Sequence, residues 1–357
     1  MSGLLDLVRA DLRDYAGYAS ARRDGALGHV WLNANEAPEP SPADASASLH
    51  RYPEPQPAAL RDAMARLYGV RAEQLLVTRG SDEGIDLLVR AFCRAGRDGV
   101  LVAPPTFGMY AACARVQGAP LVEVPLRDAG GAWSLDTPSL LQAIDERAVR
   151  VVFLCSPANP TGQALALDDI AGLARALRGR CVLVVDEAYV EYGGIASASA
   201  LLDACPGLVV LRTLSKAHAL AGARIGAVLA DPAVIALLRN LAAPYPVPAP
   251  SAALALQALS APALDAARER ADRVVLAREQ VRVALQELPG VRCVYPSQGN
   301  FLLARFDGAG AVRERLLARG VVVRDMRALP QLDDALRISI GSDADNAALL
   351  AALGAAP

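Results

Sequence analysis

The stretch CVLVVDEAY, residues 181–189, sets five apolar residues directly before two carboxylates. An apolar run without alternation describes a strand covered on both faces, as in a parallel sheet sandwiched between helices. Asp186 then stands at the carboxyl end of that strand, where a partly buried carboxylate requires a partner. A salt bridge or a helix N-terminus would supply one, and so would a protonated pyridine nitrogen. Asp186 and Glu187 are adjacent and point to opposite sides, which argues against a paired-carboxylate acid/base site.

Outward from this strand the same texture repeats in LLVT (75–78), GVLVA (99–103), PLVEV (120–124), VVFLC (151–155), LVVL (208–211) and IGAVL (225–229). Segments of helical period, such as Asp82–Arg94 and Leu167–Leu177, separate them. The alternation predicts an α/β fold, with a mostly parallel sheet between helices, whose ligands collect beyond the carboxyl ends of the strands.

No charged residue occurs from Leu241 to Leu264, yet Pro244, Pro246, Pro248, Pro250 and Pro262 interrupt that stretch. A membrane span is therefore not expected, and the APYPVPAP run (243–250) reads as an extended connector between two domains. Beyond it a long helical stretch is expected over Ser251–Leu288. Short strands near Val291–Tyr295, Phe301–Ala304, Val321–Val323 and Leu336–Ile340, with a helix over Gly310–Arg319, would build a smaller α/β domain. The expected division is a large domain at 46–244 and a small one at 245–357, with residues 1–45 packing on the small domain.

The chain has 357 residues, 53% of them hydrophobic, and a formal charge of −2. Its charges are interspersed, so no field gathers nucleic acid or an anionic membrane, and any anion must be held locally. Six scattered cysteines and three separated histidines indicate neither a disulfide framework nor a metal site. The opening MSGLLDLVRADLRD carries charges at Asp6, Arg9 and Asp11 and has no apolar core of a signal peptide, so a cytoplasmic location is expected.

Three further motifs follow apolar runs. LVVLRTLSKAHALAGARIG (208–226) places Thr213, Ser215 and Lys216 at a strand end with Arg224 eight residues on, a phosphate-binding set beside an amine. Burial and neighbouring cations there would lower the amine's pKa and make it nucleophilic. LCSPANPTG (154–162) fixes Asn159 between two prolines, and TRGSDEGID (78–86) opens a helix whose first N–H groups suit an anion.

In this order, Gly80-Ser81-Asp82, Asn159, Asp186-x-x-Tyr189, Ser215-Lys216 and Arg224, the chain resembles the fold-type I aminotransferases that depend on pyridoxal 5′-phosphate. The resemblance implies that Lys216 carries the cofactor as a Schiff base and later moves the substrate's proton. It also implies that Asp186 pairs with the ring nitrogen while Asn159 and Tyr189 bond the ring hydroxyl. Ser81, Asp82, Thr213, Ser215 and Arg224 would hold the phosphate, by backbone or side chain, and Phe107 in PPTFGMY would stack on the ring. GYASARR (17–23), VWLNANEAP (30–38), RYPEPQP (51–57), SDEGIDLLVRAFC (81–93), VVDEAYVEY (184–192), VVVRDM (321–326) and LRISIG (336–341) are similar to the histidinol-phosphate aminotransferase branch in particular. That likeness implies transfer between L-histidinol phosphate and 2-oxoglutarate, with Tyr18, Asn159, Arg324 and Arg337 around the substrate. It further implies a homodimer in which Tyr52 reaches the neighbour's cofactor. Ala158 and Phe107 depart from the family's usual asparagine and tyrosine. An aromatic or broad-specificity aminotransferase and a threonine-phosphate decarboxylase-like enzyme are the alternatives.

Overall fold

The computed structural model describes residues 4–21 and 29–354. Part of one sequence motif, at Arg22 and Arg23, lies outside them.

All seven apolar runs named above become strands of one sheet. In chain order they are β1 (Leu75–Thr78), β2 (Gly99–Val102), β3 (Leu121–Glu123), β6 (Val149–Cys155), β7 (Val182–Asp186), β8 (Leu208–Thr213) and β9 (Gly226–Leu229), with a small hairpin of β4 (Arg127–Asp128) and β5 (Trp133–Ser134) before β6. The order across the sheet is β1-β9-β8-β7-β6-β2-β3. Neighbours from β3 to β8 run parallel, whereas β9 is antiparallel to both β8 and β1. The link from β8 to β9 contains only a short 3-10 turn at Ala221–Ala223. Without a crossover helix the chain returns antiparallel. This brings Lys216, just past β8, and Arg224, just before β9, to the same edge.

Helices α1 (Ala58–Tyr68), α2 (Gly80–Phe92), α3 (Met109–Gln117), α4 (Thr137–Glu146), α5 (Leu167–Ala176), α6 (Pro232–Leu241) and α7 (Ala249–Ala258) cover the sheet. α1, α4, α5 and α7 bury Leu60, Met64, Leu140, Ile170 and Ala255 against one face. α2, α3 and α6 bury Ile85, Phe92, Tyr110 and Val234 against the other. The result is three layers, with strands that are apolar on both sides.

α8 (Ala261–Gln286) leads to a second sheet of β10 (Val291–Val294), β11 (Phe301–Phe306), β12 (Arg324–Asp325) and β13 (Ala335–Ser339), in the order β10-β11-β13-β12. α8, α9 (Ala309–Ala318) and α10 (Asp343–Leu353) pack on it through Leu285, Leu316 and Leu349.

Four expectations need amendment. The stretch 251–288 is two helices, because Pro262 has no N–H and fits only a first turn, which starts α8 anew. Val321–Val323 is not a strand: pairing begins at Arg324, and Val321 and Val323 serve as packing against the small core. The proline connector and α7 join the large unit, since Val247, Ala252 and Ala255 are buried in its core. Residues near the amino end also pack there rather than on the small sheet: Leu7 and Val8 are buried with α2 and α6, and Arg9 N–H donates to the Ala91 carbonyl at 3.1 Å.

Candidate active site

Beyond the carboxyl ends of β6, β7 and β8 lies a cleft of about 550 Å³. Ser81, Asp82, Phe107, Asn159, Asp186, Tyr189, Thr213, Ser215, Lys216 and Arg224 all line it, joined by Cys155, Ala188 and Ala221. The parallel strands place these residues side by side although the sequence spreads them over 144 positions, from 81 to 224.

At the floor, β7 delivers Asp186, which is 2% exposed. Burial pushes its carboxyl up to about 6, against the lowering effect of two donors. Those donors are the Tyr110 hydroxyl, at 2.8 Å from Oδ2, and the Ala188 N–H, at 3.2 Å from Oδ1. Sequence reasoning passed over Tyr110; its only cue is its place at the head of α3, three residues after Phe107.

Along one wall, Asn159 Nδ2 donates to the Tyr189 hydroxyl at 3.3 Å, and Asn159 Oδ1 accepts from Arg337 Nη1 at 2.5 Å. The Tyr189 ring meets Phe301 edge-on with centroids 5.1 Å apart. Lys216 Nζ stands 5.7 Å from the centre of the Tyr189 ring. Its pKa is lowered by burial first and by the Arg337 charge next.

The opposite end is built for an anion. α2 begins here, and the first N–H groups of a helix have no partner within it. Strand β9 presses close: a Cβ on Gly226 would stand 2.6 Å from the Gly80 carbonyl carbon and 2.7 Å from Ser81 N. Gly80 itself has φ +74 and faces Arg224, whose Nη2 would lie 2.7 Å from an added Cβ. Arg224 Nη1 reaches Ser215 Oγ at 3.4 Å, and Thr213 Oγ1 accepts from Ser215 N–H at 3.1 Å. The Asp82 carboxylate already pairs with Arg224 at 3.0 Å. What Asp82 can still offer an anion is its backbone N–H in the first turn of α2.

The small sheet supplies a second cationic spot. Arg324 and Arg337 are register partners on β12 and β13. Among the described residues, neither forms an ion pair with a carboxylate, and Arg337 Nε is buried without a partner.

Tyr52 and Tyr18 are not brought to the cleft within one chain, and Arg324 stands outside its lining, behind Arg337. Tyr52, half exposed, stacks on Tyr245 at 4.5 Å. Tyr18, 66% exposed, lines a separate groove with Gln56, Arg61 and Arg239.

On the hidden side of the strand ends, Glu187 and Arg212 alternate with Asp186 and Thr213. Arg212 Nη2 donates to Glu191 at 2.7 Å and Nη1 reaches Glu187 at 3.5 Å, with the guanidinium 4.4 Å from the Tyr68 ring centre. Ser197 Oγ and Ala198 N–H also donate to Glu187.

A lysine amine, a buried carboxylate and a helix N-terminus beside an arginine meet at the strand ends of a three-layer sheet, and the chain belongs to the class I and II aminotransferases, whose family model matches residues 18–353. Among its relatives, the histidinol-phosphate aminotransferase of Xanthomonas euvesicatoria is 57% identical over 352 residues, 99% of this chain and 97% of that protein. The histidinol-phosphate aminotransferase of Stenotrophomonas maltophilia is 58% identical over the same shares. The crystal structure of histidinol-phosphate aminotransferase from Sinorhizobium meliloti, in complex with pyridoxal-5′-phosphate, aligns with TM-score 0.79 at 27% identity, covering 90% of this chain and 88% of that one. Among the described residues no helix is long and apolar enough to cross a membrane, and no group of histidine, cysteine, aspartate or glutamate could hold a metal.

Proposed function

We propose that this aminotransferase moves an amino group between L-histidinol phosphate and 2-oxoglutarate, with pyridoxal 5′-phosphate in the cleft. The observation that carries the reading is the co-location of Lys216, Asp186 and the Gly80–Ser81/Arg224 cradle, together with relatives of that name at 57% identity over almost the whole chain.

The cofactor's needs match what the residues offer. A buried carboxylate whose charged form is disfavoured by burial suits a cationic ring nitrogen, and a glycine-lined helix end with Arg224 and Ser215 suits a phosphate. Lys216 is the amine that would hold the cofactor covalently. Asn159 and Tyr189 are placed to bond its ring oxygen, with Phe107 against its face. Pyridoxal phosphate, when bound, supplies an electron sink for the charge left at a substrate's Cα.

This chain's residues do the rest. Burial and the Arg337 charge shift Lys216 in the direction that favours its neutral form, as suits a base that takes and returns the Cα proton. Arg324 and Arg337 would bind the phosphate of one substrate and the carboxylate of the other, since a guanidinium fork pairs with either. Val30, Leu32 and Tyr52 are large apolar side chains left exposed in a single chain, as surface that a second copy would cover, and this supports a homodimer.

The test is an amine panel with 2-oxoglutarate, following glutamate formation. Histidinol phosphate should be the preferred donor, and equal rates with unphosphorylated histidinol or phenylalanine would overturn the substrate assignment.

A further inference from the structure

Among the described residues, Tyr110 is the one side chain that bonds Asp186 directly. Its ring is fully buried and lies parallel to Phe153, with centroids 4.8 Å apart and planes 5° from coplanar. It also meets Phe107 edge-on at 5.7 Å. The phenol is thus clamped between a strand residue of the sheet and the aromatic wall of the cleft. The fixed ring holds its hydroxyl oxygen 2.8 Å from the carboxylate.

We infer that Tyr110 is a positioning residue for Asp186: its hydroxyl donates to Oδ2, while the Ala188 N–H donates to Oδ1, so the carboxylate plane is fixed and its remaining lone pairs face the cleft. This rests on the pyridoxal-phosphate reading above and deepens it. A carboxylate without these donors would rotate about its Cβ–Cγ bond in a pocket that is otherwise apolar on this side, and it would draw the ring proton more strongly toward itself. Asp82 and Glu187, both acidic, push the Asp186 carboxyl up, and Lys216 acts on it through charge alone, so none of them replaces the donated hydrogen bond. The Cys155 thiol is also nearby, and burial holds it protonated.

Tyr110→Phe removes one oxygen and keeps both ring contacts, so the sheet should stay intact. In holoenzyme carrying cofactor labelled with ¹⁵N at the ring, the variant should shift the nitrogen resonance toward the unprotonated value. Its kcat should fall about 10- to 100-fold with KM for histidinol phosphate within about twofold, as for loss of a hydrogen bond to a charged group. In an Asp186→Asn background the same substitution should change neither the resonance nor cofactor affinity, because the effect passes through the carboxylate. An unchanged resonance in Tyr110→Phe, or an equal effect with and without Asp186, overturns the inference. A wild-type protein that lacks cofactor on Lys216 would instead sink the reading beneath it, and borohydride reduction with peptide mapping distinguishes the two.

Discussion

Arg324 and Arg337 stand directly opposite each other across antiparallel strands β12 and β13, two positive charges on one face of the small sheet. Like charges so placed repel, and burial together with Arg324 lowers the pKa of Arg337. Such a pair is relieved when an anion sits between its members. Each charge-assisted contact is worth about 1.5–3 kcal/mol, so Arg337→Ala should lower kcat/KM for histidinol phosphate about 10- to 150-fold. With both substrates proposed to share this pocket, stopped-flow measurements of each half-reaction alone should show both damaged; harm to one only would mean separate anion sites.

Lys216 is expected to be indispensable. Lys216→Ala should abolish turnover while the fold persists, since the residue lies in a loop beyond β8 rather than in the core. Borohydride reduction of the yellow holoenzyme followed by peptide mapping should mark this lysine, and a mark elsewhere would refute the assignment.

Asp186 should leave a trace in the pH dependence of the cofactor-free protein. Its folded-state value of about 6 lies above the unfolded 3.8, so the folded state binds the proton more tightly. The associated stability is complete below about pH 4 and is lost as pH rises through 6, a fall of about 3 kcal/mol by pH 7. Denaturant unfolding from pH 4 to 7.5 should show this slope reduced in Asp186→Asn.

The buried Arg212 should matter for stability. Arg212→Met strands Glu187 and Glu191 without a countercharge, at a cost of about 3–5 kcal/mol. Adding Glu187→Gln should recover part of that loss in the same unfolding assay.

Tyr52 should make activity depend on assembly. Light scattering combined with assays across dilution should show activity falling as monomer appears, and Tyr52→Ala should weaken cofactor retention. A fully active monomer would contradict this.

Much of this architecture could be read in the chain itself, because strands buried on both faces write uninterrupted apolar runs. Runs such as CVLVV and LVVL fix both a strand and the point where the chain leaves it, and the placement of Lys216, Asp186 and Asn159 at the cleft was legible for that reason. Proline and glycine gave the loops, through missing donors and backbone freedom. What lay beyond reach depended on contacts between distant segments. Strand order decided that β9 runs antiparallel and sets Arg224 beside Ser215. Packing decided that Leu7 and Val8 join the large core and that Val321–Val323 pack without pairing. Tyr110 carries no local mark of its bond to Asp186, 76 positions away, since only the meeting of α3 with the β6–β7 face creates it. Sequence determines periodicity and local chemistry; which residues become neighbours across the sheet is set by the global minimum of packing, to which no single stretch has access.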